Sequence, residues 1–222
     1  MSDISRTELE EKYWHFLLTE GCRPKSVYAF MHSIELEEGE FYKHYATMDA
    51  LESGYWKSTV DETISVLEAD EDYATYPADQ KLLAFYYTYF THVQKHRSRL
   101  TEFFPKIGIT TVKTLQGMRE SYRAFAKNIV AQGVQEGIFA DRKKLMDLYD
   151  RGMFEHFRMM IMFYIKDTSE DFQDTDAFIE KSVKFGIDGA ASGVLESGLD
   201  FARFMVGKIP GGSEWMEKLM PK

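Results

Sequence analysis

Apolar residues along this chain recur at intervals of three and four, and no stretch alternates with a period of two. The cleanest run is Leu115, Met118, Tyr122, Phe125 and Ile129, at steps of 3, 4, 3 and 4 along one face of a helix expected over residues 112–134. The same spacing predicts a first helix over residues 7–19, closed by Gly21, and a second over 24–34 with Pro24 at its first position. A third is expected over 37–45 and a fourth over 49–69, followed by an acidic loop to residue 79. Residues 80–104 read as one long helix, apolar on several sides through Leu82, Leu83, Phe85, Tyr86, Tyr89, Phe90 and Val93, and hence central. Two more helices are expected over 142–166 and 175–208, and a short amphipathic one over 213–220. The prolines fall between these patterns rather than within them, so the expected fold class is all-α.

Composition makes such a fold affordable: 44% hydrophobic and 15% aromatic residues in 222 can fill a sizeable core. The single cysteine, Cys22, excludes an internal disulfide and a cysteine-based zinc cluster, and fits a reducing compartment. The longest apolar run is residues 159–165, too short to span a membrane, and the acidic start lacks the pattern of a signal peptide. A cytoplasmic location is the expectation. Net charge is −9, concentrated at the N-terminus: residues 1–56 hold eleven acids and five lysines or arginines. A domain that gains affinity by neutralising phosphates would carry the opposite sign.

Residues 21–51 combine short helix, tight turn and short helix, followed by Phe41-Tyr42-Lys43-His44-Tyr45 and Leu51. This stretch resembles the helix-turn-helix of the TetR family of bacterial one-component regulators. Gly21 fits the glycine ending the first helix, Ser26-Val27 the start of the second, and Gly39 the small residue inside the third. Phe41-Tyr42 fits the Leu-Tyr pair after it, and Leu51 the leucine opening the fourth. A weaker likeness, residues 129–138, resembles the glycine-marked end of a ligand-domain helix in that family. The resemblance implies an N-terminal three-helix head over 1–47 and a helical body over 48–222 that binds ligand and dimerises. It also implies operator DNA as partner, contacted by Lys25, Ser26, Tyr42, Lys43 and His44.

The departures all point one way. Glu35 stands where the family has a turn glycine, Glu37 where a serine-like residue caps the third helix, and Glu40 where a small hydroxyl residue touches phosphate. Met48 replaces a phosphate-contacting lysine, and Tyr13 a small residue of the first helix. Glu37, Glu38 and Glu40 therefore weaken the expected DNA contact, leaving Arg23, Lys25, Lys43 and His44 as basic groups. Two functions stand side by side: a homodimeric regulator controlled by a small apolar ligand, or a TetR-fold protein that has lost DNA binding and carries a lipid-like ligand. TetR-fold proteins of the second kind, which bind isoprenoid lipids for quinone synthesis, also end in an amphipathic helix.

Aromatic and methionine side chains crowd the middle helices. Tyr86, Tyr89, Phe90, Phe125, Phe157 and Met160 are the expected ligand lining, against the plainer reading of ordinary core. Arg123, His156 and Arg158 are candidates for a ligand's polar end. Gly186, Ala190, Gly193 and Ser197 share one helix face, and on family grounds this is the expected dimer seam. His92 and His96 lie four apart without a third ligand in spacing, so no metal is expected. With no Glu-x-x-His, phosphate-binding loop or GxSxG turn, neither catalytic residue nor cofactor is assigned, and an enzyme is not expected.

Overall fold

The structure is a computed structural model that describes residues 4–105, 113–139 and 146–192. Among the described residues there are nine α-helices and no strand. In chain order they are α1 (Arg6–Glu20), α2 (Val27–Ser33), α3 (Glu38–Tyr42), α4 (Met48–Glu68) and α5 (Ala78–Gln94), then α6 (Arg97–Phe103), α7 (Gln116–Gln135), α8 (Met146–Lys166) and α9 (Gln173–Ser192). Two single 3-10 turns, Tyr73–Thr75 and Glu170–Phe172, lie between α4 and α5 and between α8 and α9.

Helix starts follow from their capping residues. Ser5 opens α1 with a reciprocal box: its hydroxyl accepts from the Glu8 amide at 3.3 Å, while the Ser5 amide donates to the Glu8 carboxylate at 2.9 Å. Ser26 caps α2 by accepting from the Ala29 amide at 3.1 Å. The second helix therefore begins after Ser26, and Pro24 sits in the turn before it rather than at its first position. Thr47 caps α4 through the Ala50 amide, also at 3.1 Å. By contrast Glu37, the cap position of α3, makes no side-chain capping bond, and α3 closes after five residues instead of reaching Tyr45.

The expected long helix over residues 80–104 is two helices. Its apolar stripe ends at Val93, and the chain turns at Lys95 and His96 before α6 resumes. Neither proline nor glycine marks the break; long-range contacts of the two arginines that follow accompany it. Arg97 donates to the carbonyls of Tyr164, Ile165 and Asp167 at 3.1, 3.2 and 3.1 Å, closing the C-terminus of α8. Arg99 turns instead toward α1.

The long helices form the body: α4 lies along α7 and α5, α7 along α8, and α9 along α5 and α8. The stripe Met118, Tyr122, Phe125 and Ile129 is buried as its spacing predicts. At the end of α7, Gly133 and Gly137 have different jobs. A Cβ on Gly133 would come within 2.2 Å of the Phe139 ring, which folds back over it. Gly137 takes φ +76°, letting the Ile138 and Phe139 amides return to the Gly133 carbonyl at 2.8 and 3.0 Å. No helix among the described residues is long and apolar enough to cross a membrane. Gly193, Ser197 and the expected tail helix over 213–220 lie outside the described residues, as do the side chain of Ala190 and the expected starts of α7 and α8 at 112 and 142.

Candidate functional site

The head is assembled around an aromatic core. Tyr13 and Phe16 of α1 meet Phe30 of α2 edge to face at 5.3 and 6.0 Å, and Phe30 meets Phe41 of α3 at 6.5 Å. Tyr13, large where the resembled family has a small residue, is wholly buried here, and its hydroxyl donates to Glu52 of α4 at 2.6 Å. The turn between α2 and α3 passes through Glu35 at φ +58°, a left-handed position held without glycine. Such a position costs a non-glycine residue roughly 1 kcal/mol. The Glu35 amide donates to His32 at 3.2 Å and the Leu36 amide to Met31 at 3.0 Å.

The five side chains expected to meet DNA are distributed as follows. Lys25 is exposed and makes no ion pair among the described residues. Ser26 is exposed, with its hydroxyl engaged as the α2 cap. Tyr42 is 52% exposed, and its hydroxyl donates to Glu38 one turn earlier at 3.2 Å. Lys43 pairs with Glu40 at 2.8 Å. His44 is turned inward, its Nε2 at 2.8 Å from the Ile4 carbonyl. Thus Lys25, Ser26, Tyr42 and Lys43 are each exposed, and His44 ties down the N-terminal segment instead.

Arg23 is likewise engaged, by two carboxylates of α4. Its guanidinium donates to Asp49 at 2.7 Å and grips Glu52 through two nitrogens, Nε at 2.7 Å and the terminal NH2 group. Hydrogen bonding to Glu52 raises its pKa further above that of a free arginine. Two of the four basic groups counted from the sequence are thereby matched to internal carboxylates. Spacing gave no sign of the Arg23 pairings, which reach 26 and 29 residues along the chain.

In the body, all six expected ligand-lining residues are buried and lie at the junction of α5, α7 and α8. Phe157 stacks on Tyr122 at 4.6 Å and meets Tyr89 edge to face at 4.7 Å, while Phe125 stacks on Phe85 at 4.6 Å. Phe90 and Met160 complete the layer, Phe90 against Tyr164 at 4.9 Å. Phe85 and Tyr122 belong to the cluster as fully as the six named from sequence; the α7 stripe contained Tyr122, but only packing shows its partner.

Of the three candidates for a polar end, one reaches this cluster. His156 Nδ1 lies 3.4 Å from the Tyr86 hydroxyl, which lies 2.6 Å from that of Tyr122. Burial lowers the His156 pKa to about 4. Arg158 pairs with Glu155 at 2.5 Å. Arg123 faces outward, where it lines a surface cavity of about 500 Å³ with Gln116, Arg119, Glu120, Ala124 and Lys127. His92 pairs with Glu62 at 3.1 Å, and no three metal-ligating side chains converge among the described residues.

On the outside of α8 and α9, Met159, Phe163 and Phe185 are exposed, Phe185 by 73%. Phe163 stacks on Phe178 across the two helices at 4.5 Å. Gly186 lies beside Phe185 with nothing within 4 Å of where its Cβ would stand.

Comparison with known proteins follows the same outline. No curated protein matches the chain. Among solved structures, the fatty acid degradation regulator FadR from Bacillus halodurans superimposes with a TM-score of 0.60 at 13% identity, over 83% of this chain and 99% of that one. At that identity the likeness is one of fold. The family described as "Tetracyclin repressor-like, C-terminal domain" matches residues 81–205, α5 through α9 and beyond. With more than half of its length matched, this all-α chain belongs to the tetracycline repressor-like family.

Proposed function

We propose that the protein is a ligand-responsive regulator of the TetR type, with a head over residues 1–47 and a ligand-binding, dimer-forming body over 48–222. The observation that carries this reading is the turn at Glu35, kept in its left-handed shape without the glycine that would relieve it. Backbone strain persists where surrounding structure over-determines it, and it concentrates at functional sites. The exposed Lys25, Ser26, Tyr42 and Lys43 would offer hydrogen bonds and charge to a phosphate backbone. Two heads carried by a homodimer would read two half-sites, and a small apolar ligand that prefers one spacing of the heads would change their fit. Such a regulator works in the cytoplasm. The exposed apolar residues Met159, Phe163 and Phe185, with Gly186, supply the face that a second copy would cover.

The pairing of Arg23 with Asp49 and Glu52, and of Lys43 with Glu40, favours a second reading: a head that no longer reads DNA, on a body that carries a lipid-like molecule. One experiment separates the two. The purified protein is titrated against its own upstream DNA over a range of salt concentrations. A regulator shifts that DNA, with log affinity falling linearly as log salt rises. Absence of any shift at low salt ends the regulator reading and leaves the carrier.

A further inference from the structure

The body core contains a line of three polar groups inside an otherwise aromatic layer. Tyr86 and Tyr122 are wholly buried, and His156 is partly buried. The Tyr122 and Tyr86 hydroxyls stand 2.6 Å apart, and Tyr86 continues to His156 Nδ1 at 3.4 Å. The far ring nitrogen, Nε2, is shut off from solvent and has no partner among the described residues. A buried polar atom left unpaired costs about 1–3 kcal/mol, and the Tyr89 and Tyr164 hydroxyls of the same aromatic layer share this condition.

The line has a direction. Burial holds the imidazole neutral near pH 7, so one ring nitrogen carries hydrogen and the other a lone pair. Either hydroxyl can donate, but Tyr122 has no other acceptor among the described residues, so the order Tyr122 to Tyr86 to the Nδ1 lone pair is the one that leaves neither hydroxyl hydrogen unmet. The remaining proton is then on Nε2, a donor with nothing to meet. The nearby cations are spoken for: Arg158 and Arg119 both reach Glu155, at 2.5 and 3.6 Å. A carboxylate placed beside Nε2 would lie buried without a counter-charge, which is strongly unfavourable. The partly buried Met153 and the buried Met160 lie on the same face of α8 as His156, three residues before and four after it, and thioether side chains repack at low cost to admit an occupant.

We propose that His156, positioned by Tyr86 and Tyr122, is the polar reader of the ligand site, and that the ligand is an apolar molecule ending in an uncharged oxygen acceptor such as a ketone, not a fatty carboxylate. This rests on the reading of the body as ligand-binding. It does not depend on whether the head binds DNA.

The probes are 2-nonanone and nonanoate, matched in chain length and differing in charge, titrated at pH 7.5 into the full chain by calorimetry and thermal shift. The expected result is saturable binding of the ketone and at least roughly tenfold weaker binding of the carboxylate. His156→Phe removes the donor while keeping a ring. Its folding is checked separately by thermal melting, because the Tyr86 hydroxyl loses its acceptor as the unpaired nitrogen is removed, and it should weaken the ketone by roughly five- to tenfold, the worth of one hydrogen bond. His156→Gln, whose amide nitrogen reaches a similar place, should restore part of that loss, which a merely structural histidine would not. Equal or tighter binding of nonanoate overturns the proposal, as does binding of neither probe, or ketone affinity unchanged in His156→Phe. If neither probe binds while upstream DNA is shifted, the ligand chemistry is wrong and the regulator stands. If the ketone binds and DNA does not, the regulator falls and the ligand chemistry stands.

Discussion

Arg99 of α6 donates to Glu11 of α1 at 2.5 Å, and this pair fastens the head to the body. The arginine is buried and lies over the rings of Trp14 and Tyr55, at 5.8 and 5.2 Å, while Glu11 reaches it from a half-exposed position. Two residues earlier on the same short helix, Arg97 holds the C-terminus of α8. Glu11→Ala would leave the guanidinium buried with no carboxylate. Stability should fall by about 2 kcal/mol, seen as a drop of roughly 4–8 °C in Tm. A Tm within a degree of the parent would show that the rings alone satisfy Arg99.

The charge pattern of the head gives a prediction of opposite sign. Asp49→Asn and Glu40→Gln together leave both side chains near their present size while releasing Arg23 and Lys43 from a carboxylate each. If the head meets DNA, affinity for the upstream region should rise at least tenfold at low salt. The log–log salt slope should steepen by about one unit per cation recruited. Unchanged affinity and slope in the double variant would place these cations away from the DNA.

Asp167 sets a pH limit on the junction of α8 and α9. Burial pushes its carboxyl upward, but bonds from the Ser169 and Thr175 hydroxyls and amides, at 2.6 to 2.9 Å, overcome this and hold it at about 2. The folded value lies below the unfolded value near 4, so as pH falls the unfolded chain takes up the proton first. The stability that this carboxylate contributes is complete above about pH 4 and is lost as the pH drops toward 2. Denaturant melts of Asp167→Asn should be less stable at neutral pH by about 1–3 kcal/mol and should lose part of the acid dependence in that window. Parallel pH profiles for variant and parent would remove Asp167 as the cause.

Phe185 gives the sharpest test of self-association. With 73% of its surface exposed it contributes little to a lone subunit, so Phe185→Glu should leave monomer stability within about 0.5 kcal/mol. If α8 and α9 form the seam, the same change should convert a dimer to a monomer in sedimentation at micromolar concentration. A parent chain that already sediments as a monomer would exclude the seam.

Sequence spacing was enough for the parts of the fold decided locally. The α7 stripe and the glycine-marked end of α7 each depend on residues a few positions apart, and each is where the pattern put it, whereas α2 starts after Ser26 and not at Pro24. The break between α5 and α6 is different. No turn-forming residue stands at Lys95 or His96, and the arginines after it find partners about 70 and 88 residues away. The electrostatics of the head were half legible. The excess of acid could be counted, but that Arg23 is spent on Asp49 and Glu52 is a fact of three dimensions. The aromatic cluster was legible as apolar layers, and its direction, from Tyr122 through Tyr86 to His156, was not.

The turn at Glu35 has one more consequence. Because Tyr13, Phe30 and Phe41 hold the head together from within, exchanging exposed acidic residues for basic ones would leave these contacts in place. Recognition on this scaffold is therefore a coat that can be changed without rebuilding the frame. A lineage can lose a nucleic-acid partner, or regain one, through a handful of surface codons while its architecture stays fixed.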